Sequence, residues 1–241
     1  PITVYIVPTT RDELIEDVAT GVGDIAAGNL TVTEDRLKVV DFVAPADQKP
    51  VDEVVVSRTP VAAAEDLSGK TVHVRPSSSY HQSLLALNER LRQGGKAPVK
   101  LALVPDELED EDMMEMLNAG LMEYLVVDDW KAKMWAQILP NIKVNETAVL
   151  RDGGRIGWAV RKGSPKLQAE LDQFYAGYLK KQGISAYRLK QHMSRVKQIR
   201  NNASDSEYQK FAATLKLFQK YGEKYGFDPV MLAAQGYQES Q

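Results

Sequence analysis

Over residues 1–7, Ile2, Val4 and Ile6 alternate with Thr3, Tyr5 and Val7, a period of two that predicts a strand. Thr10-Arg11-Asp12-Glu13 then has the form of a capping box. Leu14, Ile15, Val18 and Ala19 recur one helical turn apart, and Gly21 is placed to stop that helix. Residues 24–28 read as a short strand ending in a turn. Strand, helix and strand in that order predict a parallel sheet. Residues 54–57 are another apolar strand, and 71–75 begin a second unit of the same kind. Pro76-Ser77-Ser78-Ser79 offers N-caps for a helix whose buried stripe is Leu84, Leu87 and Leu91 and whose end is Gly94-Gly95. Strands are expected at 99–104, 124–127 and 156–160. A helix is expected over 107–118, with acids in its first turns that suit the positive end of the helix dipole. Ser164-Pro165 opens a further helix with Leu167, Leu171, Phe174 and Tyr178 on one side and Gly183 after it.

Beyond residue 185 the pattern changes. Arg188, Lys190, Arg195, Lys197 and Arg200 mark a solvated connector, and Ser204-Asp205-Ser206-Glu207 is another capping box. Phe211, Leu215, Phe218 and Tyr221 follow at helical spacing. The strand-and-helix part gives way to a purely helical one, which predicts a domain boundary near 185.

Composition narrows the class. The 241 residues are 44% hydrophobic and 26% charged, ordinary for a soluble globular protein of one large or two modest domains. The net charge of -3 gives no reason to expect nucleic acid. Cysteine is absent, which fits an oxidising compartment and a cytosolic protein alike. No apolar run approaches the roughly 18 residues of a membrane span. His73, His81 and His192 are scattered without ligand spacing, so neither a metal nor a cofactor is expected.

The most informative stretch for binding is Gly23-Asp24-Ile25-Ala26-Ala27-Gly28-Asn29-Leu30-Thr31-Val32-Thr33-Glu34-Asp35-Arg36, running on to Val40-Asp41-Phe42. It resembles the ligand loop of type II periplasmic solute-binding proteins of the amino-acid-binding branch, a resemblance that covers about residues 1–183. The chemistry agrees with it. Arg36 offers a planar fork for a carboxylate, Thr31 a hydroxyl and an amide, and Asn29 an amide group beside Gly28. Ser78 and Ser79 precede a helix whose N-terminus favours anions. Asp129, or Asp128 beside it, matches the family's acceptor for an ammonium group. Each feature alone also has a plainer reading. Thr33 to Arg36 can be a capped turn with a surface arginine, the serines a helix cap, and the two aspartates the start of the next helix. The sequence also departs from the family: the strand and helix that open such proteins do not precede residue 1.

The last residues carry a second resemblance. Asp228-Pro229 forms a helix entry, Met231, Leu232, Ala233 and Ala234 an apolar body, and Glu239-Ser240 follows on the third turn. This is similar to the start of the catalytic domain of lytic transglycosylases. That resemblance makes Glu239 the catalytic acid. In the family one carboxyl group protonates the glycosidic oxygen and then accepts a proton from the muramoyl 6-hydroxyl, leaving an anhydro sugar. The plain alternative is an ordinary helix glutamate.

Together the two resemblances look like the lytic transglycosylase F group. The expectation is an α/β, two-lobed type II periplasmic binding protein-like domain over 1–183, with a C-terminal all-α segment. Lobe 1 is expected at about 1–55 and 156–183, and lobe 2 at about 66–150. A linker at 184–203 and the start of a helical transglycosylase domain at 204–241 follow. The implied partners are a small amino acid, peptide or muropeptide, and peptidoglycan. The implied place is the periplasm, at the outer membrane through an N-terminal anchor missing from this text. The chain is expected to be truncated at both ends and, as it stands, not to cleave peptidoglycan. Two other classes stay open: a stand-alone periplasmic amino-acid-binding protein of a transporter, and a structural cell-wall adaptor without catalysis.

Overall fold

The computed structural model describes residues 3–45, 47–181 and 191, together with 213–214, 216–218, 220–222, 224–228, 231–232 and 235. Mixed helix and strand form two compact units. Unit 1 comprises Pro1–Val51 and Gly153–Arg188, and unit 2 comprises Asp52–Asp152 and Leu189–Gln241.

Unit 1 contains α1 (Leu14–Thr20), β1 (Ile25–Thr31), α2 (Glu34–Val39) and β2 (Val40–Val43). Unit 2 follows with β3 (Val51–Ser57), β4 (Thr71–Val74), α3 (Ser79–Gln93), β5 (Lys100–Leu103), α4 (Asp110–Ala119), β6 (Tyr124–Asp128), α5 (Asp129–Trp135) and β7 (Lys143–Gly154). The chain then returns to unit 1 with β8 (Ile156–Arg161), α6 (Pro165–Phe174) and a π-helical turn, Tyr175–Lys180.

The unit-1 sheet has the order β1-β8-β2, and β8 runs antiparallel to both neighbours. The parallel sheet expected from the first strand-helix-strand run is therefore not formed as such. β1 and β2 point the same way but are separated by a strand from far along the chain. The small core under this sheet is Val18, Ala26, Leu30, Val40 and Ala159.

Two local expectations also fail here. Residues 3–10 form no strand, and Val4, Tyr5 and Ile6 are 80%, 84% and 90% exposed. Alternation supplies strand propensity, but a strand needs a ladder partner, and none of the described strands pairs with this segment. Thr10 does not cap α1 either. The N-cap is Glu13, without a side-chain cap bond, and it is Thr9 whose hydroxyl donates to Glu13 and Asp17. Gly21 ends α1 as expected, at φ 93° in the left-handed region, with its N–H donated to Asp17 C=O at 3.0 Å.

Unit 2 has two sheets: β6-β3-β7, with β6 antiparallel to β3, and the parallel pair β4-β5. α3 shows how the sequence builds it. Ser78 caps the helix by accepting from the His81 N–H at 3.3 Å, and Leu84, Leu87 and Leu91 are buried at 0%, 0% and 1% exposure. Each such leucine contributes about 1.5–3 kcal/mol of burial. They pack with the run Val54-Val55-Val56 and with Met113, Met114 and Leu117 of α4 in one continuous core. β7 has no counterpart in the sequence reading, because its inward alternation includes a buried asparagine, Asn145, and its end reads as an Asp-Gly-Gly turn. Phe218 packs against the unit-2 core. Ser204 to Glu207, Pro229, the linker apart from Gln191, and Glu239 lie outside the described residues. Among the described residues no helix is long and apolar enough to cross a membrane.

Candidate functional site

In unit 1 the expected ligand residues sit on one bulged strand and the helix after it. β1 pairs regularly at Ile25↔Val160 and Ala26↔Ala159, then resumes at Leu30↔Gly157, so a bulge lies between. Asn29, exposed and at φ 50°, is the described non-glycine residue in the left-handed region, where asparagine is tolerated. Gly28 precedes it, and its carbonyl accepts from Arg11 Nη1 at 3.4 Å. The bulge brings Leu30 and Thr31 both inside, at 5% and 6% exposure.

Thr33 caps α2, its hydroxyl oxygen accepting from the Arg36 N–H at 3.3 Å. That cap aims the half-buried Arg36 side chain back along its own chain, where Nη1 donates to the Thr31 carbonyl at 2.8 Å. The turn is capped, as the plainer sequence reading has it, and the cap orients the guanidinium.

In unit 2, Ser78 and Ser79 stand at the start of α3. The Ser78 hydroxyl donates to the Arg75 carbonyl at 2.8 Å, and Ser79 is buried at 5% exposure. Ser77 donates to Asp106. Asp129 opens α5, where its Oδ2 accepts from Lys133 at 3.1 Å and its Oδ1 from the Asp52 N–H at 3.4 Å. Asp128, one residue earlier, ends β6 at 2% exposure, with Oδ1 buried and lacking a hydrogen-bond partner.

Asp128 belongs to a buried charge network that the sequence reading did not assemble. Asp110, at 0% exposure, accepts from Arg75, from Lys131 and, at 3.2 Å, from the Tyr80 hydroxyl. Arg75 also reaches Glu109 at 3.2 Å. Tyr80 Oη in turn accepts the Asp128 N–H at 3.2 Å. Glu53, at 1% exposure, accepts from the Ser83 hydroxyl and lies 3.3 Å from Arg151 Nε. Burial pushes the Asp128 carboxyl up to about 6, opposed by Lys131 and reinforced by Asp110 and Glu53. Burial alone would lower the Lys131 ammonium, yet Asp110 and Asp128 outweigh it and hold the group above its ordinary value. Tyr80 is pushed well above the usual phenol, first by burial and then by the Asp110 and Asp128 charges.

The sequence held one signal for this network: a charge set directly against an apolar run, as Glu53 is before Val54-Val55-Val56. Asp110 gave none, because it sits among acids that read as dipole partners on a helix surface. Among the described residues no group of three or more His, Cys, Asp or Glu side chains could hold a metal ion.

An α/β chain of two units, one with a capped turn bearing Arg36 and the other with a serine-capped helix, has the build of a type II periplasmic binding protein. The sequence profile of the bacterial extracellular solute-binding proteins, family 3, matches residues 1–190, and the chain belongs to that family. Its fold is similar to an ancestral arginine-binding protein bound to arginine (TM-score 0.61, 25% identity, 76% of each chain). It is also similar to an amino acid ABC transporter substrate-binding protein from Streptococcus pneumoniae bound to L-arginine (TM-score 0.63, 18% identity, 78% of this chain and 75% of that one). Over nearly its whole length the chain is similar to membrane-bound lytic murein transglycosylase F. The Desulfosudis oleivorans protein is 26% identical, across 95% of this chain and 50% of that protein. The Ectopseudomonas mendocina protein is 28% identical, across 90% of this chain and 44% of that protein. The chain thus spans about half the length of the curated relatives it matches.

Proposed function

We propose that this chain is the small-ligand-binding, regulatory module of a periplasmic, membrane-associated peptidoglycan lytic transglycosylase. The observation that carries the reading is one alignment: similarity to transglycosylase F covers 95% of the chain, past the end of the family 3 match at residue 190. A solute-binding protein alone does not account for the residues beyond. The ligand is a small amino acid, wall peptide or muropeptide with a free carboxylate. In unit 1, Arg36, Thr31, Gly28 and Asn29 are the candidates for that group; in unit 2, Ser78 and Ser79 are candidate donors and Asp128 or Asp129 the candidate acceptor for an ammonium group. Asp128 is the better placed of the two, because both oxygens of Asp129 already accept hydrogen bonds while Asp128 Oδ1 accepts none. Glu239 is the general acid and base of the intact enzyme, peptidoglycan its substrate, and the outer membrane its place of attachment.

The test is calorimetric titration of amino acids and wall peptides into wild type and Arg36→Ala. Charge-assisted hydrogen bonds contribute roughly 1.5–3 kcal/mol each, so the variant loses at least about tenfold in affinity. Unchanged affinity for a ligand that wild type binds removes Arg36 from the site. The solved neighbours that carry amino acids favour a second reading, a stand-alone binding protein of a transporter. Anhydromuropeptide release from sacculi by the full-length protein, abolished by Glu239→Gln, decides for the enzyme.

A further inference from the structure

Glu53 and Asp128 are direct partners across the β3–β6 ladder. Residues so placed share one face of the sheet, with Cβ atoms roughly 4.5–5.5 Å apart, and like charges there are destabilising. The next three rungs are apolar: Val54↔Val127, Val55↔Val126 and Val56↔Leu125. On this rung the sheet holds two carboxylates instead, both shielded from solvent.

Each carboxylate has one buried oxygen that accepts no hydrogen bond. Ser83 donates to Glu53 Oε2, and Lys131 Nζ lies 4.0 Å from Asp128 Oδ2. Glu53 Oε1 and Asp128 Oδ1 are buried without a hydrogen-bond donor. Arg151 Nε is 3.3 Å from Glu53 Oε1, but its N–H is donated to Ser83 Oγ at 3.2 Å. A buried acceptor without a donor is costly, and two on one face call for a donor that the described protein groups do not supply. The charges agree. The ion pairs fall in two groups: Glu53 with Arg151, and Glu109, Asp110 and Asp128 with Arg75 and Lys131, where the acids outnumber the bases by one.

We propose that Glu53 and Asp128 together form a dicarboxylate subsite that selects a ligand with net positive charge, its protonated amine or guanidinium entering between Glu53 Oε1 and Asp128 Oδ1. This rests on the small-ligand reading above and narrows it to a class. One carboxylate balances the ammonium of any zwitterion; a second makes a further cation the preferred guest. Glu53 is then a specificity-determining residue that no local motif marked.

The same geometry makes binding proton-linked. Near pH 6 Asp128 is part protonated, and an entering cation favours its ionised form, so binding releases a proton there. Lys131, Arg151, Asp110 and Tyr80 face the pair from the surrounding elements and set the background against which that proton moves.

The experiment titrates L-arginine, L-lysine and L-glutamine into the chain near pH 6 and near pH 8, in buffers of differing ionisation enthalpy. Wild type is expected to bind a basic amino acid at least ~10-fold more tightly than glutamine. It is also expected to release protons near pH 6 and fewer near pH 8. Glu53→Gln, nearly isosteric, should erase most of that preference, and Asp128→Asn should abolish the proton release. Three results each overturn the proposal: glutamine bound as tightly as both basic amino acids, no proton release by wild type, or a preference that survives in folded Glu53→Gln. The proton measurement on wild type decides even if a variant fails to fold. Arg36-dependent binding of glutamine alone sinks the dicarboxylate subsite and leaves the small-ligand module standing. Binding of none of the three sinks the subsite.

Discussion

Asn88 and Val99 pair as two strand residues would: the Asn88 side-chain amide donates to the Val99 carbonyl at 3.0 Å, and the Val99 N–H donates to Asn88 Oδ1 at 2.6 Å. A helix side chain thus satisfies the backbone just before β5, where no strand residue does. Both residues are buried. Asn88→Ala leaves an N–H and a C=O of Val99 without partners, and a buried unsatisfied group costs about 1–3 kcal/mol. We expect a loss of ~2–4 kcal/mol in urea unfolding. A loss below ~0.5 kcal/mol would show that water replaces the amide at no cost.

Asp128 gives a stability that depends on pH with a defined sign. Its folded-state value of about 6 lies above the ordinary 3.8, so the native state holds this proton more tightly than the unfolded chain. The penalty is absent below about pH 4, grows as pH rises towards 6, and is complete above it. The offset corresponds to ~3 kcal/mol at most. Asp128→Asn removes a charge but keeps the shape, so its stability relative to wild type should improve from pH 4 to pH 8. A difference between the two proteins that stays flat across that range would show that Asp128 titrates normally.

Asp110 is the hub of the buried charges, shared by Arg75, Lys131 and Tyr80. Removing one member of a buried pair leaves an uncompensated charge and costs about 3–5 kcal/mol. Asp110→Ala should fall in that range by chemical denaturation. A near-neutral result would mean that Glu109 and Asp128 can take over both cations.

Gly157 of β8 is fixed by space alone. A methyl group there would meet the Val43 carbonyl oxygen at 2.8 Å and the Ala44 Cβ at 2.9 Å. The nearest atom belongs to the backbone of an adjacent strand and cannot rotate away. Gly157→Ala should cost about 1–3 kcal/mol and weaken hydrogen-exchange protection across β1, β8 and β2. Unaltered protection would show that β2 shifts without strain.

What could be read in advance was what is local. The leucine stripe of α3, its Ser78 cap and the Gly21 stop each follow from a few neighbouring residues, and the structure has all three. What failed was pairing. Nothing near residues 25–31 announces that their neighbour will be Ile156–Arg161, and the alternation at 1–7 does not say whether a partner strand exists. The capped turn that carries Arg36 was legible because Thr31, Thr33 and Arg36 lie within a few residues of one another. The Glu53–Asp128 rung was not, because its members are 75 positions apart and only register joins them.

The bulge in β1 also fixes which changes in chain length this protein can absorb. Ala26 to Leu30 spans four steps where the facing Ala159 to Gly157 spans two, so β1 carries two residues more than its neighbour. Losing both at once, Gly28 with Asn29, would restore an even ladder and keep Leu30 inward. Losing either alone would turn Leu30 outward, because side chains alternate with a period of two. Natural variants of this segment should therefore differ in length by pairs of residues and not by single ones.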